Sequence, residues 1–302
     1  MGSFDSVCKI CDNINVKYKI LEKTANLVSI KVGGTASLVV YPNTIHQFTC
    51  LLSEILSNRY KYYILGNGTN TYFTDNNFDG VIIVTKQINK CYVENKLLIA
   101  ECGTSLYDCC RLALQHSLSG LEFAFGIPAT VGGALYMNAS AFGSSVSSVV
   151  KKTLVYDTSL LKYYYIFDNE HSFEEKKSIF SKENNLIVLK TVFELKHSLK
   201  ADIDLLMNTY LNKRTMSQPL DFPSAGSVFK KPKNKHASQL IDLAGLKGIR
   251  IGGAQVSTKH AGFIINVNSA KAVDIQSLVS IIKEKIYEEH GIKLEEEIIF
   301  VE

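Results

Sequence analysis

Ser227 stands in the stretch "PSAGSVFKKP", Pro223 to Pro232, directly after Gly226 and ahead of an aromatic residue and two lysines. A nucleophilic serine of the elbow type sits between glycines in a G-x-S-x-G frame and needs a histidine and an acid beside it. Phe229 occupies the place of the second glycine, which argues against a hydrolase and leaves the hydroxyl with another task. Two glycine-rich stretches offer a different chemistry. In "LGNGTNTYFTDNNFDG", 65–80, two glycines with small hydroxyl and amide residues follow an apolar strand, so backbone N–H groups are left free to surround a phosphate. The stretch is not a dinucleotide fingerprint, because Thr71 stands where the third glycine belongs and no helical pattern follows, nor is it a P-loop. An ordinary turn is the competing reading. In "GIPATVGGALYMNASAFG", 126–143, a proline turn, the Gly132-Gly133 pair and a run of small residues let the backbone lie close to a flat ligand, or equally pack strands tightly.

The whole chain narrows the choices. Its 302 residues suffice for two or three domains at about 100–200 residues each. A net charge of +4 suits small anions and is too slight to argue for nucleic acid; tryptophan and any aromatic-basic module are missing. Seven cysteines at scattered spacing read as reduced thiols of a cytoplasmic protein. "CKIC", Cys8 to Cys11, finds no second pair to complete a metal site, so no metal is expected. "MGSFDS" matches a myristoylation pattern at Gly2 by chance, with no polybasic second anchor, and no apolar run approaches the ~20 residues of a membrane span.

The elements that must position these residues read as α+β without regular βαβ alternation. "LVSIKVGGTASLVVYP" alternates apolar residues around Gly33 and Gly34 until Pro42, and reads as strand. "FDGVIIV" reads as an Asp-Gly turn feeding a strand buried on both faces. "SLYDCCRLALQHS" is a helix behind a Ser105 cap, 186–195 a strand, and 200–215 a helix leading to a last domain. There "ASQLIDLAGLKG" is a short helix, "AGFIINV" a strand, and "VDIQSLVSIIKEKIYEEHG" an amphipathic helix stopped by Gly291.

Taken together, "VGGTASLVVYP", "LGNGTNTYFTDNNFDGVII", "SGLEFAFGIPATVGGALYMNASAFG", "QPLDFPSAGSVFKKP" and "LIDLAGLKGIRIGGAQVSTKHAGFIINV" occur in an order and spacing that resemble the UDP-N-acetylenolpyruvoylglucosamine reductase family, from about residue 25 to 301. The uninterrupted run from Ser140 to Phe193 resembles the shorter subtype, without an extra substrate-capping insertion. The resemblance implies a two-part FAD-binding fold of the vanillyl-alcohol-oxidase (PCMH) type followed by an α+β substrate-binding domain. We expect FAD-binding subdomains over 1–64 and 65–200 and the substrate domain over 201–302. By resemblance, FAD lies against Gly66, Asn67, Gly68, Thr69 and Asn70 and against Gly126, Ile127, Pro128, Thr130, Gly132 and Gly133. NADPH and UDP-N-acetylglucosamine enolpyruvate are the implied cosubstrate and substrate, in peptidoglycan precursor synthesis.

In that family a serine at this motif position protonates the carbanion formed by hydride transfer, which casts Ser227 as a general acid. A neighbouring lysine such as Lys230 would ease the transient alkoxide. Three acids run together in "GIKLEEEIIFV", and alone they read as a solvated strand end. The family pattern selects Glu297, which stabilises the enolate form of the substrate carboxylate. Where the family carries a Tyr-Arg-x-Ser type motif, "SFEEKKSIF" puts Lys176 at the arginine and Glu175 at the tyrosine. Lysine keeps the charge and loses the two-pronged match to a carboxylate; Lys177 or Arg250 is the alternative. Lys230 and Asn138 are further substrate-binding expectations, and "KKPKNK", 230–235, faces the substrate diphosphate or is a solvated loop. His236 and His260 read as packing or loop residues. Two other readings stay open: a flavin enzyme of this fold with a different substrate, and a nucleotide-binding protein that has lost turnover. The sequence does not fix the oligomeric state.

Overall fold

A computed structural model describes residues 4–233 and 235–302; Gly2 of the amino-terminal pattern and Asn234 of the basic run lie outside the described residues. Three sheets organise the chain. In the first, Lys17–Lys23 runs antiparallel to Thr35–Tyr41, which pairs in parallel with Asn77–Val84 and through it with Tyr62–Leu65. Its central strands are apolar on both sides for a reason visible in the packing. Leu38, Val40, Val81 and Ile83 enter one core, and Ala36, Val39, Ile82 and Val84 enter a second core shared with the carboxy-terminal region. Parallel strands covered on both faces need such unbroken apolar runs.

The second sheet is antiparallel throughout, in the order Lys162–Phe167, Val150–Asp157, Leu186–Glu194, Leu97–Glu101, Cys91–Glu94. The helix Leu106–Gln115 packs on it with Ser105 as its cap, whose Oγ accepts a hydrogen bond from the Asp108 amide. The Lys200–Ser217 helix leads to the third sheet, Ser224–Ser227, Phe263–Asn266, Ala254–Val256 and Arg250–Ile251. The Ala272–His290 helix covers it and ends at Gly291, whose φ of 66° is the left-handed stop expected there. The chain then returns: Ile299–Val301 pairs in parallel with Thr71–Phe73, joining the last residues to the first glycine loop. The first sheet runs to Val84, across residue 64, and the second spans 91–194.

Two local expectations are corrected. Asp79-Gly80 is not a turn before a strand but a bulge inside Asn77–Val84: the register slips between Ala36↔Phe78 and Leu38↔Val81. A Cβ on Gly80 would meet the Lys61 carbonyl at 2.6 Å, which is why glycine fits the bulge. The alternation in 27–34 is likewise not a strand. Val28, Ile30 and Val32 are buried, yet the strand starts at Thr35, and the preceding backbone serves other segments. The Ser29 amide donates to the Gly68 carbonyl, and the Ile30 carbonyl accepts from Asn266.

Candidate active site

The glycine loop 66–70 is held by its neighbours rather than by a sheet. Gly68 has φ of 65°, and a Cβ there would lie 2.4 Å from the Leu27 carbonyl and 2.9 Å from Val28 Cα. Only glycine can sit so close to that backbone. A Cβ on Gly66 would lie 2.4 Å from Thr130 Oγ1, and Asn67 donates to the Pro128 carbonyl at 2.7 Å, so the two glycine-rich stretches are packed on each other. The second stretch is more regular than its sequence suggests. Thr130 caps the helix Val131–Tyr136 by accepting from the Gly133 amide, and Gly132 and Gly133 form its first turn.

The same loop reaches the serine and the acids. Ser29 donates its hydroxyl to the Ser224 carbonyl at 2.6 Å; Asn70 donates to the Glu297 carbonyl at 2.9 Å; the Glu297 amide donates to the Val228 carbonyl at 2.7 Å. Gly226, with φ of 77°, bends the strand in front of Ser227 beside Thr69. One mesh of side-chain and backbone hydrogen bonds thereby ties loop 66–70, the Ser227 strand and the chain end together.

These segments enclose a cavity of about 1360 Å³. Gly66 to Asn70, Gly126 to Thr130 and Gly132-Gly133 line it, together with Ser227, Glu297 and Lys176. The Ser227 hydroxyl makes no hydrogen bond to protein among the described residues. Lys176 Nζ lies 3.0 Å from Glu297 Oε1, with both side chains largely withdrawn from solvent. Burial pushes the Glu297 carboxyl above the usual glutamate range; the Lys176 ammonium, and more weakly Lys230, oppose that shift, while Glu175 adds to it.

Lys176 reaches the cavity from the tip of a two-residue turn. Glu174 and Lys177 exchange both backbone hydrogen bonds around Glu175 and Lys176, and Lys176 has φ of 57°. Glycine is the usual residue where φ is positive at the second turn position. A lysine there is strained and is kept in place by its surroundings. Asn138 supplies part of that support. It is buried, and its amide donates to the Glu174 carbonyl at 2.9 Å while its oxygen accepts from the Ser147 amide at 3.3 Å. Ser178 Oγ adds a bond to the Tyr136 carbonyl.

Two expected substrate residues lie elsewhere. Asn138 is spent on the Lys176 turn and does not line the cavity. The Lys230 ammonium faces Glu295 at 3.2 Å and lines a neighbouring cleft of about 380 Å³ with Lys177, Lys231, Lys233 and Lys293. Residues 295–297 precede the last strand, and here Glu295 pairs with Lys230 at the cleft while Glu297 lines the cavity. Arg250 is exposed on the far edge of the third sheet. His260 is turned inward, where its Nδ1 accepts from the Gly262 amide and burial lowers its pKa. Among the described residues no cluster of His, Cys, Asp or Glu could hold a metal, and no helix is long and apolar enough to cross a membrane.

The structure adds a residue the sequence reading missed, Arg214. It lines the cavity from the Lys200–Ser217 helix, with its side chain against the space beside Gly126. Its Nη1 donates to Gln218 at 3.1 Å, its Nε is buried without a partner, and desolvation lowers its pKa. A half-buried arginine whose Nε is left without a partner carries a desolvation cost that an anionic ligand would offset. Its only signal in the sequence is a cationic residue in the last turn of a helix just before the Ser227 motif.

A cavity larger than the about 300–1,000 Å³ of ordinary ligand pockets, walled at one end by close backbone and an unpaired guanidinium, fits an anionic dinucleotide cofactor. Residues 36–159 match the sequence model of the FAD binding domain, and the class is thereby that of an FAD-containing oxidoreductase. Residues 218–301 match the model of the UDP-N-acetylenolpyruvoylglucosamine reductase C-terminal domain. The UDP-N-acetylenolpyruvoylglucosamine reductase of Pseudothermotoga lettingae is 43% identical over 271 residues, 89% of this chain and 93% of that one. The protein of the same name from Thermosipho melanesiensis is 40% identical over 99% of both chains. The crystal structure of the Thermus caldophilus reductase (MurB) superimposes with a TM-score of 0.78 at 29% identity, covering 95% of this chain and 99% of the other. The chain belongs to the UDP-N-acetylenolpyruvoylglucosamine reductase family.

Proposed function

We propose that the protein reduces UDP-N-acetylglucosamine enolpyruvate to UDP-N-acetylmuramate with NADPH through bound FAD, as a cytoplasmic step of peptidoglycan precursor synthesis. The observation that carries this reading is the Lys176–Glu297 pair lining the same cavity as Ser227 and the glycine loops. Loop 66–70 would hold FAD by backbone N–H groups, with Arg214 as a countercharge to the bound nucleotide, while 126–130 and Gly132-Gly133, whose Ile127, Ala129, Gly132 and Gly133 amides already donate within the protein, would let the flat cofactor lie close. Bound FAD would supply the two-electron chemistry, accepting hydride from NADPH and passing it to the terminal vinyl carbon.

The residues of this chain handle the charge that follows. Hydride arriving at the vinyl carbon breaks the C=C π bond and leaves its electron pair on the carbon next to the carboxylate. Ser227 gives its hydroxyl proton to that carbon, which completes the lactyl ether; water restores the serine proton. Serine is a weak acid, but the carbanion is a stronger base, so transfer runs downhill once the two are in reach. Lys176 sets its ammonium against the substrate carboxylate, where the carbanion charge spreads. Glu297, biased toward its protonated form by burial, donates a hydrogen bond to the same carboxylate. A carboxylate brought into the site raises that bias further, because like charges at short range cannot both stay ionised.

Lys230, Lys231 and Lys233 of the "KKPKNK" run, which line the small cleft with Lys177 and Lys293, support a role in drawing the substrate diphosphate toward the site. The test is anaerobic: reduce the FAD-loaded protein with NADPH, add UDP-N-acetylglucosamine enolpyruvate and follow flavin absorbance. Return of the oxidised spectrum with formation of the lactyl ether is expected. A flavin that bleaches and stays bleached overturns the assignment.

A further inference from the structure

The hairpin formed by Ser140–Ala141 and Ser144–Ser145 turns through Phe142 and Gly143, whose φ angles are 53° and 85°. Positive φ at both central residues is type I′ geometry, which favours asparagine, aspartate or glycine at the first place. Phenylalanine is strained there, because its Cβ crowds the backbone. Burial does not compensate: Phe142 is 40% exposed, and the space around Gly143 is open. Its ring is held by Tyr210 of the Lys200–Ser217 helix, with centroids 4.3 Å apart and planes at 4°. Phe142 lines the cavity, whereas Tyr210 stands behind it. Leu220 and Phe222, both exposed, also line that cavity. Backbone strain kept at the rim of a cavity, for a ring that fills no core, is the pattern of a ligand clamp.

We propose that Phe142, backed by Tyr210, is a stacking platform for the planar heteroaromatic ring of a nucleotide entering this cavity; the proposal rests on the reductase reading above. Under that reading two nucleotides use the cavity in turn, one carrying nicotinamide and adenine and the other uracil. Each offers a flat ring joined to phosphates, and a flat ring backed on its far side is the partner such a ring stacks on. The hairpin turn thus gives up its preferred residue for an aromatic surface.

The test is calorimetric titration of the FAD-loaded protein with NADP⁺ and, separately, with UDP, for the parent chain, Phe142→Asn and Phe142→Tyr. Asparagine suits the turn, so Phe142→Asn is expected to melt no lower than the parent chain while binding NADP⁺, UDP or both about tenfold more weakly. Phe142→Tyr is expected to bind as the parent does. The arm that weakens names the nucleotide. Affinities within twofold of the parent in both arms overturn the platform, and so does a loss of bound FAD, which would assign Phe142 to the cofactor. Binding is read without turnover: a chain that binds both nucleotides through Phe142 yet never reoxidises its flavin keeps the platform and loses the reductase reading.

Discussion

The two ends of the cavity are built from opposite materials. At the glycine end, side chains are excluded: Gly66 and Gly68 sit where a Cβ would collide with Thr130 and with the Leu27 carbonyl, and backbone forms the wall. At the acid end side chains are the whole content, with Lys176 on a strained turn meeting Glu297 near the chain terminus. Asn70 belongs to both, because it closes the glycine loop and donates to the Glu297 carbonyl. The contrast teaches how one fold divides its work. Under the proposed function, a cofactor that stays would be held by backbone, while a substrate that comes and goes would be met by charged side chains.

The largest expected effect breaks the glycine end. Gly68→Val adds a Cβ to a left-handed residue already against backbone, and should cost about 3 kcal/mol or more. Purified protein is expected to carry little flavin and to melt well below the parent chain; full flavin content would deny the loop its role. Next comes Ser227→Ala, which leaves packing and flavin binding unchanged. Flavin reduction by NADPH should proceed normally and reoxidation by the enolpyruvyl substrate slow by about 10²–10⁴-fold. Equal slowing of both half-reactions would move Ser227 from proton donor to scaffold. A smaller effect separates charge from fold at the strained turn. Lys176→Gly removes the ammonium but suits the positive φ, so turnover should fall while a gain of about 1 kcal/mol at the turn offsets part of the cost of leaving Glu297 unpaired. Unchanged turnover would show that the lysine serves its pairing with Glu297 rather than the substrate.

How much of this was legible in the chain follows from the same contrast. The glycines drew attention to loop 66–70 and to the Gly132-Gly133 pair, but a plain turn and tight strand packing competed until the family pattern was matched; the structure shows the collision a Cβ would meet at Gly66 and Gly68. Even there the helix Val131–Tyr136 was hidden, since small residues carry no amphipathic stripe. The apolar alternation of Val28, Ile30 and Val32 misled for a related reason: it records burial, and burial does not require a ladder. The acid end was legible only through the register of a family pattern. Nothing in "EEE" distinguishes Glu297 from Glu295 until the fold sends one into the cavity and the other to Lys230. Arg214 was illegible because its meaning is an unpaired Nε, a fact of three-dimensional burial.

The smallest and sharpest test concerns the proton on Glu297. Burial raises its pKa, and the charged groups that act on it are Lys176 and Lys230, which lower it, and Glu175, which raises it. A carboxyl whose folded pKa lies above its unfolded value contributes stability that is fully present below the unfolded pKa and is lost as pH rises through the folded one. On the alkaline side of the usual glutamate range, the parent chain should therefore lose stability relative to Glu297→Gln, whose amide never ionises. The rate of flavin reoxidation should fall over the same pH window, because an ionised Glu297 can no longer donate to the substrate carboxylate. Glu297→Gln keeps a donor, so its rate should be lower than the parent's at the acid limit and flat with pH through that window. If instead the rate of Glu297→Gln retains the parent's pH profile, the titrating group lies elsewhere, and the acid end works through the charge of Lys176 alone.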